Sequence, residues 1–172
     1  MSEPRRRIRN QVHATPGIHF NELGRRLGLA PGQLQHHIHR LLADGRVTSE
    51  RLYGRTHYYP PSYDAWERGA LALLERETTR GILVVLLDSG PTRPVSLADE
   101  LDVARSTIEH HLSHLEAQGV IEKRREAGNR VTVTLTRPAS TAELLRTIEP
   151  SIAARLSDRF ERLLDELLDP DD

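Results

Sequence analysis

Residues 31–47 read PGQLQHHIHRLLADGRV, and the chain writes this stretch twice. Displaced by 74 residues, Leu34-Gln35-His36-His37-Ile38 falls on Ile108-Glu109-His110-His111-Leu112. Leu41 then falls on Leu115, Gly45 on Gly119, Val47 on Ile121 and Gly54 on Gly128. Upstream, Leu23, Leu27 and Leu29 fall on Leu97, Leu101 and Val103. An ungapped repeat of this length means one supersecondary unit used twice.

The apolar positions identify the unit. Leu34, Ile38, Leu41 and Leu42 have the spacing of one buried helix face, and Gln33, Gln35, His36, His39 and Arg40 occupy the other. Before them, a short helix capped by Asn21 buries Leu23 and Leu27, and Gly28-Leu29-Ala30-Pro31 turns into the second helix. Two short helices joined by a tight turn form a helix-turn-helix. Gly45 suits the left-handed stop of the second helix. The β-branched and aromatic run Val47 to Tyr59, broken at Tyr53-Gly54, predicts a hairpin, the wing. In the second copy, Val131 to Thr136 alternates apolar and polar, and Gly128-Asn129 turns it back on Val120 to Glu126. Each unit is therefore a winged helix-turn-helix.

The predicted fold is mainly α with small β-hairpin wings. It comprises a first winged helix-turn-helix domain over 1–61, a connector helix over 62–78 and a second winged domain over 79–138. A C-terminal amphipathic helix follows over 139–172. Arg5 to His13 is expected to form the first helix, and Ile18-His19-Phe20 a one-rung strand. The connector carries Trp66, Ala70, Leu73 and Leu74 on one face, and Thr78 or Thr79 is expected to cap the helix running through Leu87. Ser96-Leu97-Ala98-Asp99 reads as a capping-box variant opening another short helix. The tail is predicted helical from Thr141 to Leu168, with a break at Glu149-Pro150. Its stripe of Ile152, Leu156, Phe160, Leu163, Leu164, Leu167 and Leu168 is too wide for a solvated helix and needs a covering surface. The surface expected is a second copy of the chain, which makes the protein a homodimer; the alternative is packing on the connector around Trp66.

Composition narrows the function. The 172 residues contain no cysteine, which excludes disulfides and thiolate metal sites. No apolar segment follows the basic start MSEPRRRIRN, and the longest apolar run, Ile82 to Leu87, is far too short to span a bilayer. A cytoplasmic protein without membrane contact is expected. The net charge of −1 hides an asymmetry. Residues 1–60 hold 10 arginines against 4 acids, a net of +6, whereas residues 139–172 hold 4 basic residues against 9 acids, a net of −5. Contact with a polyanion is thus expected chiefly from the first unit.

The DNA major groove accepts an α-helix, and Arg, Gln, Asn and small hydroxyl side chains read its base edges. On the first recognition helix these are Gln33, Gln35, His36, His39 and Arg40, with Arg51 and Arg55 at the wing turn placed for phosphate or minor-groove contact. The second unit offers Arg105, Ser106 and Thr107 on its helix and Lys123, Arg124, Arg125 and Arg130 on its wing. Glu109 would repel phosphate, so the second helix is expected to be the poorer reader. His36/His39 and His110/His114 have spacings that can ligate zinc. Because the His-His pair recurs at the same register position, it belongs to the repeated fold, and no metal or cofactor is expected. No nucleophile–base pair or phosphate-cradling glycine loop is visible, so no enzyme is expected either.

ATPGIHFNELGRRLGLAPGQLQHHIHRLLADGRV (14–47), followed by a wing ending Tyr58-Tyr59-Pro60, resembles the N-terminal domain of archaeal tandem winged-helix transcription regulators. More distantly it is similar to MarR- and ArsR-like proteins. The resemblance covers residues 5–60 and, less closely, 79–138. It implies sequence-specific binding to double-stranded DNA and control of transcription, with Gln33, Gln35, His36, His39 and Arg40 at recognition-helix positions. Where such motifs often cap the recognition helix with Ser or Thr, this chain has Ala30 and Ala104. The other reading is a tandem winged-helix scaffold that binds proteins in a chromosome-organising or transcription complex. The sequence names no operator, effector ligand or sign of regulation.

Overall fold

The computed structural model describes residues 1–149. The expected dimer stripe from Ile152 to Leu168 lies outside the described residues. The chain folds as two compact units, Met1–Ala72 and Leu73 onward.

The first unit runs α1 (Glu3–Ala14), β1 (Ile18–His19), α2 (Phe20–Leu27), α3 (Pro31–Ala43), β2 (Thr48–Leu52), β3 (Arg55–Tyr59) and α4 (Ala65–Leu73). Its core is the face that the periodicity marks. Ile8 and Val12 of α1 meet Leu23 of α2, Leu34, Ile38 and Leu41 of α3, Ile18 and Tyr58 of the sheet, and Val47 just before β2. Burying each large aliphatic side chain contributes about 1.5–3 kcal/mol. The sheet has the order β1-β3-β2, all antiparallel, with Ile18 opposite Tyr58 and Leu52 opposite Arg55. The two residues left at the wing tip, Tyr53 and Gly54, both have positive φ (51° and 80°), which suits a tight hairpin turn. Asp64 and Glu67 cap α4 reciprocally: Glu67 N–H donates to Asp64 Oδ1 at 2.8 Å and Asp64 N–H to Glu67 Oε1 at 3.1 Å. Arg68 ties that helix to the wing through Glu50 at 2.6 Å, and the Tyr59 hydroxyl donates to the Arg68 carbonyl at 2.9 Å.

The second unit repeats the plan as α5 (Glu77–Ser89), α6 (Pro94–Leu101), α7 (Arg105–Ala117), β4 (Ile121–Glu126) and β5 (Arg130–Leu135), and adds α8 (Pro138–Ile148). Ile108, Leu112 and Leu115 are buried where Leu34, Ile38 and Leu41 are in the first copy. Strand β1 shrinks here to a single bridge, Thr92 to Val133, held by two backbone hydrogen bonds of 3.0 and 2.8 Å. The tail helix begins three residues earlier than Thr141, and it buries Thr141, Ala142, Leu144 and Leu145 against the unit that includes α5. Gly81, an unpromising residue for the middle of α5, is there for space. A Cβ at that position would meet Leu101 Cδ2 at 2.9 Å.

Both recognition helices stop in the same way. Gly45 (φ 62°) and Gly119 (φ 74°) take the left-handed position. The next residue then donates back, Arg46 to the Leu41 carbonyl and Val120 to the Leu115 carbonyl, each at 2.9 Å. The helix starts differ from expectation. The N-cap of α2 is His19, whose Nδ1 faces Glu22 N–H at 3.5 Å, and Asn21 lies inside the helix. Arg76 precedes α5 in place of Thr78 or Thr79, because Thr79 is turned inward and bonded to His111. Arg93 precedes α6 with Pro94 in its first turn, which leaves Ser96 within the helix.

Candidate nucleic-acid interface

In the first unit, Leu34, Ile38 and Leu41 hold the inner face of α3 against the core, so the other face is turned to solvent. Gln33, Gln35, His36, His39 and Arg40 are all exposed. Ala30 caps α3 with no side-chain bond, and Pro31 opens it, so propensity and packing hold this helix start without a cap. Two basic hollows flank the unit's working surfaces. In one, of about 370 Å³, Arg40 is joined by Arg5, Ser2, His36 and His37. In the other, of about 290 Å³, Arg51 and Arg55 beside the wing turn share the lining with His19, Phe20 and Asn21. The juxtaposition of Arg5 with Arg40 was not legible from spacing, because it joins two helices distant in sequence.

Not every basic residue of this unit is available. Arg7 donates to the Leu27 carbonyl at 3.0 Å and so ties α1 to the end of α2. Arg25 and Arg26 both hold Glu22, whose carboxyl they keep down at about 2, with Arg26 at 2.7 Å the larger cause. His57 is buried and makes a 2.8 Å bond to the Gly17 carbonyl. Since a carbonyl only accepts, Nδ1 carries the proton. That structural histidine was missed in the sequence, because β3 buries residues 57, 58 and 59 in a row and so shows no period of two.

In the second unit a groove of about 700 Å³ runs between α7 and the wing. Arg105, Lys123, Arg125 and Arg130, all expected as contacts, line it together with Arg93, which was not expected. Arg124 does not line it: strand alternation turns it to the other face, where it bonds Glu122 at 2.8 and 2.5 Å. Ser106 is exposed and Thr107 half-buried, and neither lines the groove. Glu109 is not an isolated negative charge, since its Oε2 lies 3.1 Å from Lys123 Nζ.

The second histidine cluster has a structural side. His111 Nδ1 lies 3.2 Å from the Thr79 hydroxyl, and the His110 and His114 ring centres are 4.8 Å apart. Burial, then the neighbouring His110, Arg76 and His114, push the His111 pKa below its ordinary 6.5, and burial with His110 and Arg76 lowers that of His114. In the window below 6.5 the unfolded chain therefore binds more protons than the folded one, and stability falls as pH falls. Thermal melting followed from pH 7.5 to pH 5.5 is expected to show a falling Tm. His111→Asn should flatten that slope; an unchanged slope would place its origin elsewhere. Among the described residues no group of three His, Asp or Glu side chains is gathered as a metal site. Among them also, no helix is long and apolar enough to cross a membrane.

These features define a tandem winged helix-turn-helix protein. Residues 2–71 match the family model described as an N-terminal HTH domain, and residues 76–123 match that of the bacterial regulatory protein, arsR family. The chain thus carries two helix-turn-helix domains in tandem, of the winged type. No curated protein matches it. Two solved structures are similar to it at low identity. The transcriptional regulator Tm0710 from Thermotoga maritima shares 22% identity with a TM-score of 0.38, over 59% of this chain and 80% of that one. The mRNA-binding domain of elongation factor SelB from E.coli, solved in complex with SECIS RNA, shares 17% with a TM-score of 0.30, over 78% and 98%.

Proposed function

We propose that this protein is a sequence-specific, DNA-binding transcription regulator that reads the major groove mainly through α3. The observation that carries this is the outer face of α3, where Gln33, Gln35, His36, His39 and Arg40 stand exposed beside a basic hollow. Gln and Arg make the bidentate contacts that distinguish adenine and guanine in the major groove. Arg51 and Arg55 of the first wing lie on the flanking phosphates, and Arg105, Lys123, Arg125 and Arg130 supply the weaker contacts of the second unit from its groove; Ser106 and Thr107, outside the groove, and Arg124, on the opposite face of β4, are at most peripheral to them. Both matched models are helix-turn-helix families, one of them of regulatory proteins, which supports a regulator over an enzyme and a place with the DNA in the cytoplasm. The functional division proposed is the one read in the sequence, 1–61, 62–78, 79–138 and 139–172, although the compact units divide after Ala72 and α8 packs within the second.

A mobility shift with genomic duplex fragments at moderate salt tests the reading: a subset of fragments should be retarded. If no fragment is retarded, the protein-binding scaffold becomes the better account; the ion pairs of the second unit, Glu109–Lys123 and Glu122–Arg124, favour that role for it. The dimer belongs to the same proposal. With α8 packed into the second unit, the proposed seam is the stripe beyond Glu149: Ile152, Leu156, Phe160, Leu163, Leu164, Leu167 and Leu168. Light scattering should give a dimer mass for the full chain and a monomer mass for a chain ending at Glu149. Equal masses per chain in the two would remove the tail from the seam.

A further inference from the structure

The register that carries Leu34 onto Ile108 also carries Gln35 onto Glu109 and Ser49 onto Lys123. In the second unit these two positions meet across the groove between α7 and β4, with Lys123 Nζ 3.1 Å from Glu109 Oε2. The first unit holds two exposed neutral side chains at the same places. One copy of the module has thus exchanged a neutral pair for an oppositely charged one, with no change in net charge. Such a partly exposed pair contributes little to stability, so holding the fold together is a weak reason for the exchange. What does change is hydrogen-bonding character. Gln35 offers one donor and one acceptor, the pattern that matches the adenine edge. Glu109 offers acceptors only, which suits the N4 amine of cytosine and is repelled by adenine N7.

We propose that Glu109 is the specificity-determining residue of the second unit and reads a cytosine in the major groove. Lys123 is its positioning residue. It takes Oε2, leaves the lone pairs of Oε1 for the base, and offsets the charge that would otherwise be repelled by nearby phosphates. Arg93, Arg105, Arg125 and Arg130, which line the same groove, attract the backbone and outnumber the one other acid on its walls, Glu116. The proposal rests on the reading that the chain binds duplex DNA.

The test is selection of binding sites from a random-sequence duplex library by the full chain and by Glu109→Gln and Glu109→Ala. The parent should enrich a cytosine at one position in the part of the site that the first unit does not cover. Glu109→Gln should replace that cytosine with adenine and leave every other position as it was, and Glu109→Ala should lose preference there alone. The change in preference is expected to be about fivefold to tenfold at that base pair. Unchanged site preferences in both variants would overturn the inference, as would a uniform gain of affinity for all sequences, which would make Glu109 a simple electrostatic brake. If the parent itself enriches no sequence, the DNA-reading function fails first and this inference falls with it. A parent that selects a site which Glu109→Gln leaves intact removes the inference alone.

Discussion

Arg40→Ala combined with Arg55→Ala is expected to weaken binding to duplex DNA by about tenfold or more at physiological salt. The two arginines stand in different hollows of the first unit, Arg40 beside Arg5 on the α1–α3 side and Arg55 beside Arg51 at the wing. Removing both therefore strips one cation from each of two separate hollows, and neither loss is covered by the other. If both charges face phosphates, the slope of log affinity against log salt should fall by roughly 0.9 for each. A titration series across salt concentrations, by fluorescence anisotropy on a labelled duplex, measures both quantities. A double variant with the parent's affinity and slope would mean that the first unit is not the reader.

Leu34→Ala should destabilise the first unit by about 2–5 kcal/mol. Leu34 is wholly buried in the core shared by α1, α2, α3 and the sheet. It also lies under α2 so closely that a Cβ on Gly24 would meet its Cδ2 at 3.2 Å, which leaves little room for the backbone to close a cavity. Trp66, the single tryptophan of the chain, lies in this unit and reports its unfolding in urea by fluorescence. A loss below about 1 kcal/mol would show that the site collapses around the smaller side chain. Because α3 carries the proposed reading face, the same variant should lose DNA affinity in proportion to the unfolded fraction.

Much of this architecture was open to a reader of the sequence, for a physical reason. A buried helix face and a one-sided strand each impose a period, and a repeat imposes both twice; Leu34/Ile108, Ile38/Leu112 and Leu41/Leu115 therefore marked two cores before any coordinates. Left-handed stops were equally plain, since Gly45 and Gly119 are the residues that meet little penalty there. Helix starts were not. Ser, Thr and Asn are the usual caps, but Thr79 is committed to His111 and Asn21 sits two residues inside α2, so His19 caps α2 with its ring nitrogen and Arg76 precedes α5 with no side-chain bond. At the candidate interface, residue types on α3 could be read from the helical period. What could not be read was partnership: Arg5 with Arg40, Glu109 with Lys123, and Glu22 with two arginines that composition alone counts as free charge.

The two wings differ in length at their tips. The first turns in two residues between Leu52 and Arg55, the second in three between Glu126 and Arg130. Before the tip the copies are offset by 74 residues and after it by 75, yet Thr48 opposite Tyr59 still corresponds to Glu122 opposite Thr134, and Ile18 opposite Tyr58 to Thr92 opposite Val133. An added residue has been absorbed without shifting a single rung. The tip is the free dimension of this module: its span can drift, in evolution or by design, by up to about 3.3 Å for each added residue while the groove behind it keeps its walls.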